Sequence, residues 1–173
     1  MKVAYFTEMG WEGKIDRTTH NNMRTEFAWM SSLNADHYHI SSELTQDYDL
    51  GVVIIPKTNP DINLDRIKQH CKKIAIQQEG PHWYFQDYSI THQFHFHNHL
   101  MEADYIFVHN ESDKKYYRGI TSKPVFVNRS LMLTDGLLPR SESGNDVIIG
   151  GNFVSWYGGF DSYMVASVFQ PEA

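Results

Sequence analysis

The densest group of chemistry-bearing side chains is "QQEGPHWYF" (77–85), where Glu79, His82 and Trp83 crowd a turn that Gly80 and Pro81 stiffen. A carboxylate, an imidazole and an indole supply acceptors, a titratable base and a stacking plane, which suits a polyhydroxylated ligand. The same stretch would also serve as an aromatic loop that only packs. Earlier, "TEMGWEGKIDRTTHNN" (7–22) sets Gly10 and Gly13 ahead of a helical stretch. Such a loop turns backbone N–H groups and a helix N-terminus toward a cleft. His20, at the start of that helix, is placed to act as a general base, or simply as a polar residue at a helix start. The glycine spacing fits neither GxGxxG nor GxxxxGK[ST], so no nucleotide motif is established. His109, Asn128 and Arg129 follow later strands, with Arg129 suited to a carboxylate, a phosphate or an ordinary surface ion pair.

"THQFHFHNHLMEAD" (91–104) carries four of the ten histidines. As a strand it would put His95, His97 and His99 on one face, a zinc-like arrangement. As a helix it would stripe His95, His99 and Glu102 instead. The helix is preferred, because Leu100, Met101, Glu102 and Ala103 are helix formers and poor turn formers. Phe96, Leu100 and Ala103 then make the apolar face, with His95 and His99 on a wetter neighbouring one. No cysteine or second histidine pair lies near in sequence to complete a site, so no metal is expected here.

The elements that must position these residues read as buried strands alternating with helices. Strands are expected over 2–7, 37–40, 49–57, 73–78, 104–109, 124–130 and 146–151. Helices are expected over 21–33, with Thr18 or Thr19 as cap and Met23, Phe27, Met30 and Leu33 inward, over 61–72 and over 111–120. The strands are continuous apolar runs, which implies burial on both faces and hence a mostly parallel sheet with helices on both sides, a three-layer, Rossmann-like α/β/α fold. Ligands of such sheets sit beyond the carboxyl ends of the strands. The stretch 133–145 collects Gly, Pro, Ser and charge and reads as a linker between a domain over 1–132 and a closing unit over 146–173.

The chain has 173 residues, 41% of them hydrophobic, and a net charge of −6. That balance suits a globular domain and is poor for gripping nucleic acid. Its single cysteine, Cys71, excludes an internal disulfide. The N-terminus lacks the apolar run of a signal peptide, and no stretch is long enough to span a bilayer, so a cytoplasmic protein is expected.

The segments "MKVAYFTEMGWEGKI", "EADYIFVHNESDKKYY", "KPVFVNRSLM" and "IIGGNFVSWYGGFDSYMVA", in that order, resemble the N-terminal half of GT-B glycosyltransferases with the start of the C-terminal half attached. The resemblance covers nearly the whole chain, through motifs that are individually loose. It implies an acceptor-side domain for a small-molecule or glycan acceptor, with His20, Glu79, His82 and Trp83 on that side. It also implies a donor-side cleft near Gly151, Asn152, Gly158 and Gly159, and a nucleotide-sugar donor in place of a cofactor. Most of the donor domain of that family is not in these residues, which implies a fragment. The alternatives are a stand-alone flavodoxin-like module and a metal-dependent hydrolase built on the histidine run. A receiver-type phosphoacceptor is disfavoured, since the first strand ends with Glu8 alone and "VVIIPKTN" has no Asp.

Overall fold

The computed structural model describes residues 1–20, 25–56, 62–78, 88–131 and 133. Within them the elements run β1 (Val3–Thr7), α1 (Thr25–Ser32), β2 (Asp36–His39), β3 (Leu50–Ile54), α2 (Leu64–Lys68), β4 (Ile74–Gln77), α3 (Ile90–Glu102), β5 (Tyr105–Val108), α4 (Glu111–Ile120) and β6 (Val125–Val127). The strands form one six-stranded sheet in the order β2-β1-β3-β4-β5-β6. Every neighbouring pair is parallel. The expected three-layer, Rossmann-like α/β arrangement is therefore what this sequence forms. The order reverses between β1 and β3, the point where doubly wound sheets open a crevice. The expected linker from 134 and the strand over 146–151 lie outside the described residues.

Both faces of the sheet are covered, as the unbroken apolar strands require. On one face Ala4, Phe6, Val53, Ile76 and Ile106 meet Leu64 and Ile67 of α2, Phe96 and Leu100 of α3, and Tyr117 of α4. On the other, Val3, Tyr5, Val52 and Ala75 meet Trp29 and Met30 of α1. Gly51 lies where β3 passes tightly over the first layer: an added Cβ would stand 2.8 Å from the Cys71 Sγ and 3.2 Å from side-chain atoms of Ile74 and Phe6.

Helix ends follow local chemistry. The Asn63 side chain caps α2 by accepting from the Asp65 and Arg66 amides, and Ser89 caps α3 through the His92 amide. At α4 the Asn110 Oδ1 accepts from the Asp113 N–H at 2.9 Å while its Nδ2 donates to the Asp113 carboxylate, a reciprocal cap. The histidine run is helical, as the absence of turn formers implied. His99, however, is buried and accepts from the Ile62 N–H at 3.5 Å, so it does not lie on a wet face. Two further expectations are corrected. Leu33 is 41% exposed because α1 ends at Ser32, and Trp29 takes the inward place instead. The helix expected from 61 starts at Leu64 and stops at Lys68, leaving Cys71 in a bridge beside Tyr48.

The incoming edge of the sheet is stitched by carboxylates. Asp49 accepts from the Lys2 N–H at 2.8 Å and pairs with Lys72 at 2.7 Å. Asp104 accepts from the Ile74 N–H at 2.9 Å and pairs with Lys73 at 2.7 Å. The "Ala-Asp" that opens β5 thus packs its alanine and ties its aspartate to the start of β4.

Gly51→Ala is expected to lower stability by about 1–3 kcal/mol through overpacking, read as a lower urea midpoint. In a Cys71→Ala background the same change should cost clearly less, because the nearest obstructing atom is gone. An equal cost in both backgrounds would place the strain elsewhere.

Candidate functional site

Parallel strands deliver all their outgoing ends to one edge, and the described candidates gather there in two groups. The first is built on the loop after β1. Thr7 ends that strand, and its Oγ1 accepts from the Met9 N–H at 3.0 Å and lies 2.8 Å from the His37 Nε2 of β2. The loop then folds back along β2: the Gly13 N–H donates to the His37 carbonyl and the His37 N–H to the Gly13 carbonyl, each at 2.8 Å. Gly13 reaches this position with φ near +101°, which a side chain would resist. Trp11 sits between two imidazoles, with centroids 4.1 Å from His37 and 4.2 Å from His20.

This geometry corrects the expected anion cradle. The Gly13 and Met9 amides are spent on His37 and Thr7, not aimed at a ligand. Gly10 is exposed, with open space around its Cα. The Thr18 hydroxyl donates to the Asp16 carboxylate and the Thr19 hydroxyl to the Asp16 carbonyl, so both close a local turn and do not cap α1. His20 lies half-buried against Trp11, its Nδ1 3.0 Å from the Asp16 amide. These contacts give His20 a structural task in the loop.

The second group stands at the ends of β4, β5 and β6. His109 follows β5 and stacks on Trp29 of α1, centroids 5.8 Å apart and planes at 19°. The Trp29 Nε1–H donates to the Arg129 carbonyl at 3.1 Å, joining α1 to the segment after β6. Asn128 donates from its Nδ2 to the Gln77 Oε1 at 3.1 Å. Both His109 ring nitrogens are buried without a hydrogen-bond partner among the described residues, as are the Nε2 and Oε1 of Gln78. A buried polar group left unpaired costs about 1–3 kcal/mol. Trp29 is 3% exposed, so it backs the imidazole from within the core, and the chemistry this edge can offer a ligand is that of the His109 imidazole and the Asn128 carboxamide.

Of the expected site residues, the structure brings His109, Asn128 and Arg129 together, and holds His20, Gly10 and Gly13 in the separate β1 loop. Glu79, His82, Trp83, Gly151, Asn152, Gly158 and Gly159 lie outside the described residues. Sequence reading missed Trp29, His37, Gln77 and Gln78. The signal for the glutamines was present: two adjacent amides end an otherwise apolar strand. Among the described residues no three His, Cys, Asp or Glu side chains come together to hold a metal ion, so His95, His99 and Glu102 do not form a ligand set. An open cavity of about 430 Å³ beside Lys114, Arg118, Lys123 and Phe126 lies at the incoming end of β6, away from this chemistry.

Fold and site together define a doubly wound α/β domain with a polar outgoing edge. Neither protein-family models, nor curated proteins, nor solved structures contain a match to this chain. Among the described residues no helix is long and apolar enough to cross a membrane.

His37 carries a pH signature. Burial pushes its pKa down from 6.5 to about 4, against the opposing pull of the Trp11 backbone and Glu12. The folded protein therefore keeps His37 neutral where the unfolded chain takes up a proton. Stability is full above about pH 6.5 and falls as pH drops toward 4, by an amount of the order of 3 kcal/mol. Urea midpoints followed from pH 7 downward should show this decline, and His37→Gln should flatten it. An unchanged slope in that variant would mean that other groups carry the acid sensitivity.

Proposed function

We propose that this chain is the acceptor-side half of a sugar transferase, binding a sugar-bearing acceptor along the outgoing edge of the sheet. The observation that carries the reading is the second group: His109 stacked on Trp29, beside Asn128 and Gln77, at the ends of β4 to β6. Ring stacking with neutral donors and acceptors is the chemistry of sugar recognition, and the edge is where parallel sheets take ligands. The order of motifs that resembles GT-B glycosyltransferases supports the same reading. In it, His109, held in place by Trp29, and Asn128, held by Gln77, meet the acceptor, and the "EGPHW" segment (79–83) contributes Glu79, His82 and Trp83. His82 and Glu79 are then the acid–base candidates, and the nucleotide-sugar belongs to the donor side near Gly151 to Gly159. A cytoplasmic setting belongs to the same proposal.

A second reading is favoured by one feature, the strand order. The order β2-β1-β3-β4-β5 is that of flavodoxin-like modules, which place a flavin at the β1/β3 switch point. The loop after β1 argues against it, because the Met9 and Gly13 amides that would hold a flavin phosphate are already bonded. Flavin absorbance in the purified protein would restore this reading.

The indole N–H of Trp29 is a natural reporter, since it bonds to a carbonyl within the site. Titration with simple methyl glycosides should shift its NMR signal with millimolar affinity, and His109→Ala should weaken that binding about fivefold or more. UDP-glucose should bind this chain no better than the glycosides. Tight nucleotide-sugar binding, or glycoside shifts confined to residues away from this edge, would defeat the assignment.

A further inference from the structure

Along the incoming edge of the sheet lysines meet carboxylates, Lys72 with Asp49 and Lys73 with Asp104, each at 2.7 Å. The approach to β6 departs from that pattern. Between the last turn of α4 and the start of β6 lies the open cavity of about 430 Å³, lined by Lys114, Arg118 and Lys123 and by no Asp or Glu. The chain carries 21 acidic and 15 basic residues, so three cations around one hollow locally invert its charge. Lys114 reaches Glu111 at 3.6 Å, one turn back along α4. Arg118 and Lys123 have no ion pair among the described residues. Asp104, whose charge Lys123 feels, is already held by Lys73 at 2.7 Å and by the Ile74 N–H at 2.9 Å.

The turn that carries these cations is fixed. The Thr121 N–H donates to the Tyr117 carbonyl at 3.0 Å and the Ile106 N–H to the Pro124 carbonyl at 3.0 Å. The Lys123 N–H donates to the Thr121 Oγ1 at 3.1 Å, which leaves the hydroxyl proton of Thr121 available to a ligand. Complementarity to the helix dipole accounts for Arg118, in the last turn of α4. It accounts neither for Lys114, four residues earlier on the same face, nor for Lys123, beyond the helix. Like charges at i and i+4 repel, so the grouping works against the fold until a negative charge joins it. We propose that this cavity binds a phosphate monoester, with Lys114, Arg118 and Lys123 around the dianion and the Thr121 hydroxyl donating to it. Three cations call for more than the single charge of a carboxylate. A monoester near pH 7 concentrates about 1.5 to 2 negative charges on three acceptor oxygens, and the fork of Arg118 suits two of them. A diester, with one charge, is the poorer match. The site lies at the edge opposite the acceptor reading and does not rest on it.

The test titrates the chain with glycerol phosphate and with dimethyl phosphate, following the Lys123 amide by NMR. Glycerol phosphate should bind about tenfold more tightly than dimethyl phosphate, and its affinity should fall about fivefold or more between roughly 0.02 and 0.3 M salt. Arg118→Gln and Lys123→Gln should each weaken it about fivefold or more. Lys115→Gln, which removes an exposed cation of α4 outside the cavity, should change it less than about twofold. None of the three is buried, so urea midpoints should stay near the parent's and the losses should read binding alone. Equal losses from Lys115→Gln and Arg118→Gln would show a diffuse basic face and overturn the proposal, as would equal binding of the two phosphates. Sedimentation with vesicles separates the sources of the monoester. Capture by phosphatidic acid in preference to phosphatidylglycerol, without binding of glycerol phosphate, assigns a lipid headgroup; binding of glycerol phosphate assigns a soluble ester. Binding to neither overturns the site. Glycosides are reported by Trp29 at the other edge, so either reading can fail and leave the other standing.

Discussion

The structure depends on one constraint: all six strands run the same way. Parallel pairing forces long crossovers, crossovers bury both faces, and burial on both faces selects the unbroken apolar runs seen in β1, β3 and β4. It also sorts the ends of the strands. Every incoming end lies on one edge and every outgoing end on the other, so polar residues at strand termini meet one another without any sequence proximity. At the incoming ends of β1, β3, β4 and β5 the meeting is settled internally, by Asp49 and Asp104 with Lys72 and Lys73 and with backbone amides. At the outgoing edge Gln78 and His109 keep donors and acceptors unpaired among the described residues. That contrast between two edges of one sheet is the reason to place the acceptor at the second.

The two faces are equally unlike. The chain passes from β1 outward to β2 once, and thereafter always in the opposite direction, so right-handed crossovers put, among the described residues, α1 alone on one face and α2, α3 and α4 on the other. The crowded face closes around Phe6, Ile76 and Ile106, fully buried. The sparse face is covered well over β1 and β3, whereas toward β5 and β6 it leaves Tyr105 and Phe107 half-buried and Phe126 51% exposed. Trp29 works at this boundary. Its ring packs with Val3 and Tyr5, stacks on His109 and bonds to the Arg129 carbonyl, so one α1 side chain fixes the floor of the candidate site.

Strands were legible from the sequence because apolar runs bounded by turn formers admit few alternatives; each of the six described was found, with ends that differ by up to three residues. The histidine run was legible as a helix because nothing between His99 and β5 can turn. What the sequence did not disclose were long-range polar pairings. Thr7 and His37 lie 30 positions apart, Gln77 and Asn128 51, and Trp29 and Arg129 100. Periodicity assigns a side chain to a face but does not name its partner. For that reason Gly13 read as an anion cradle when its amide serves His37, and His37 passed as part of a weak strand. The same gap hid the difference between the two glutamines: strand alternation turns Gln77 and Gln78 to opposite faces of the sheet, and Asn128 meets only the first.

The energetic argument turns on that last pair. A domain of this size is stable by roughly 5–15 kcal/mol, so two unpaired buried groups at about 1–3 kcal/mol each are a substantial fraction of it. Gln77, one residue earlier and on the opposite face of the strand, is satisfied by Asn128. An apolar residue at position 78 would pack beside Val108 at no polar cost. Keeping a carboxamide there is therefore a departure from the most stable solution, in a sheet whose other edge pairs its carboxylates with lysines and backbone amides. That local cost is a departure from the consistency between levels that the rest of the sheet shows.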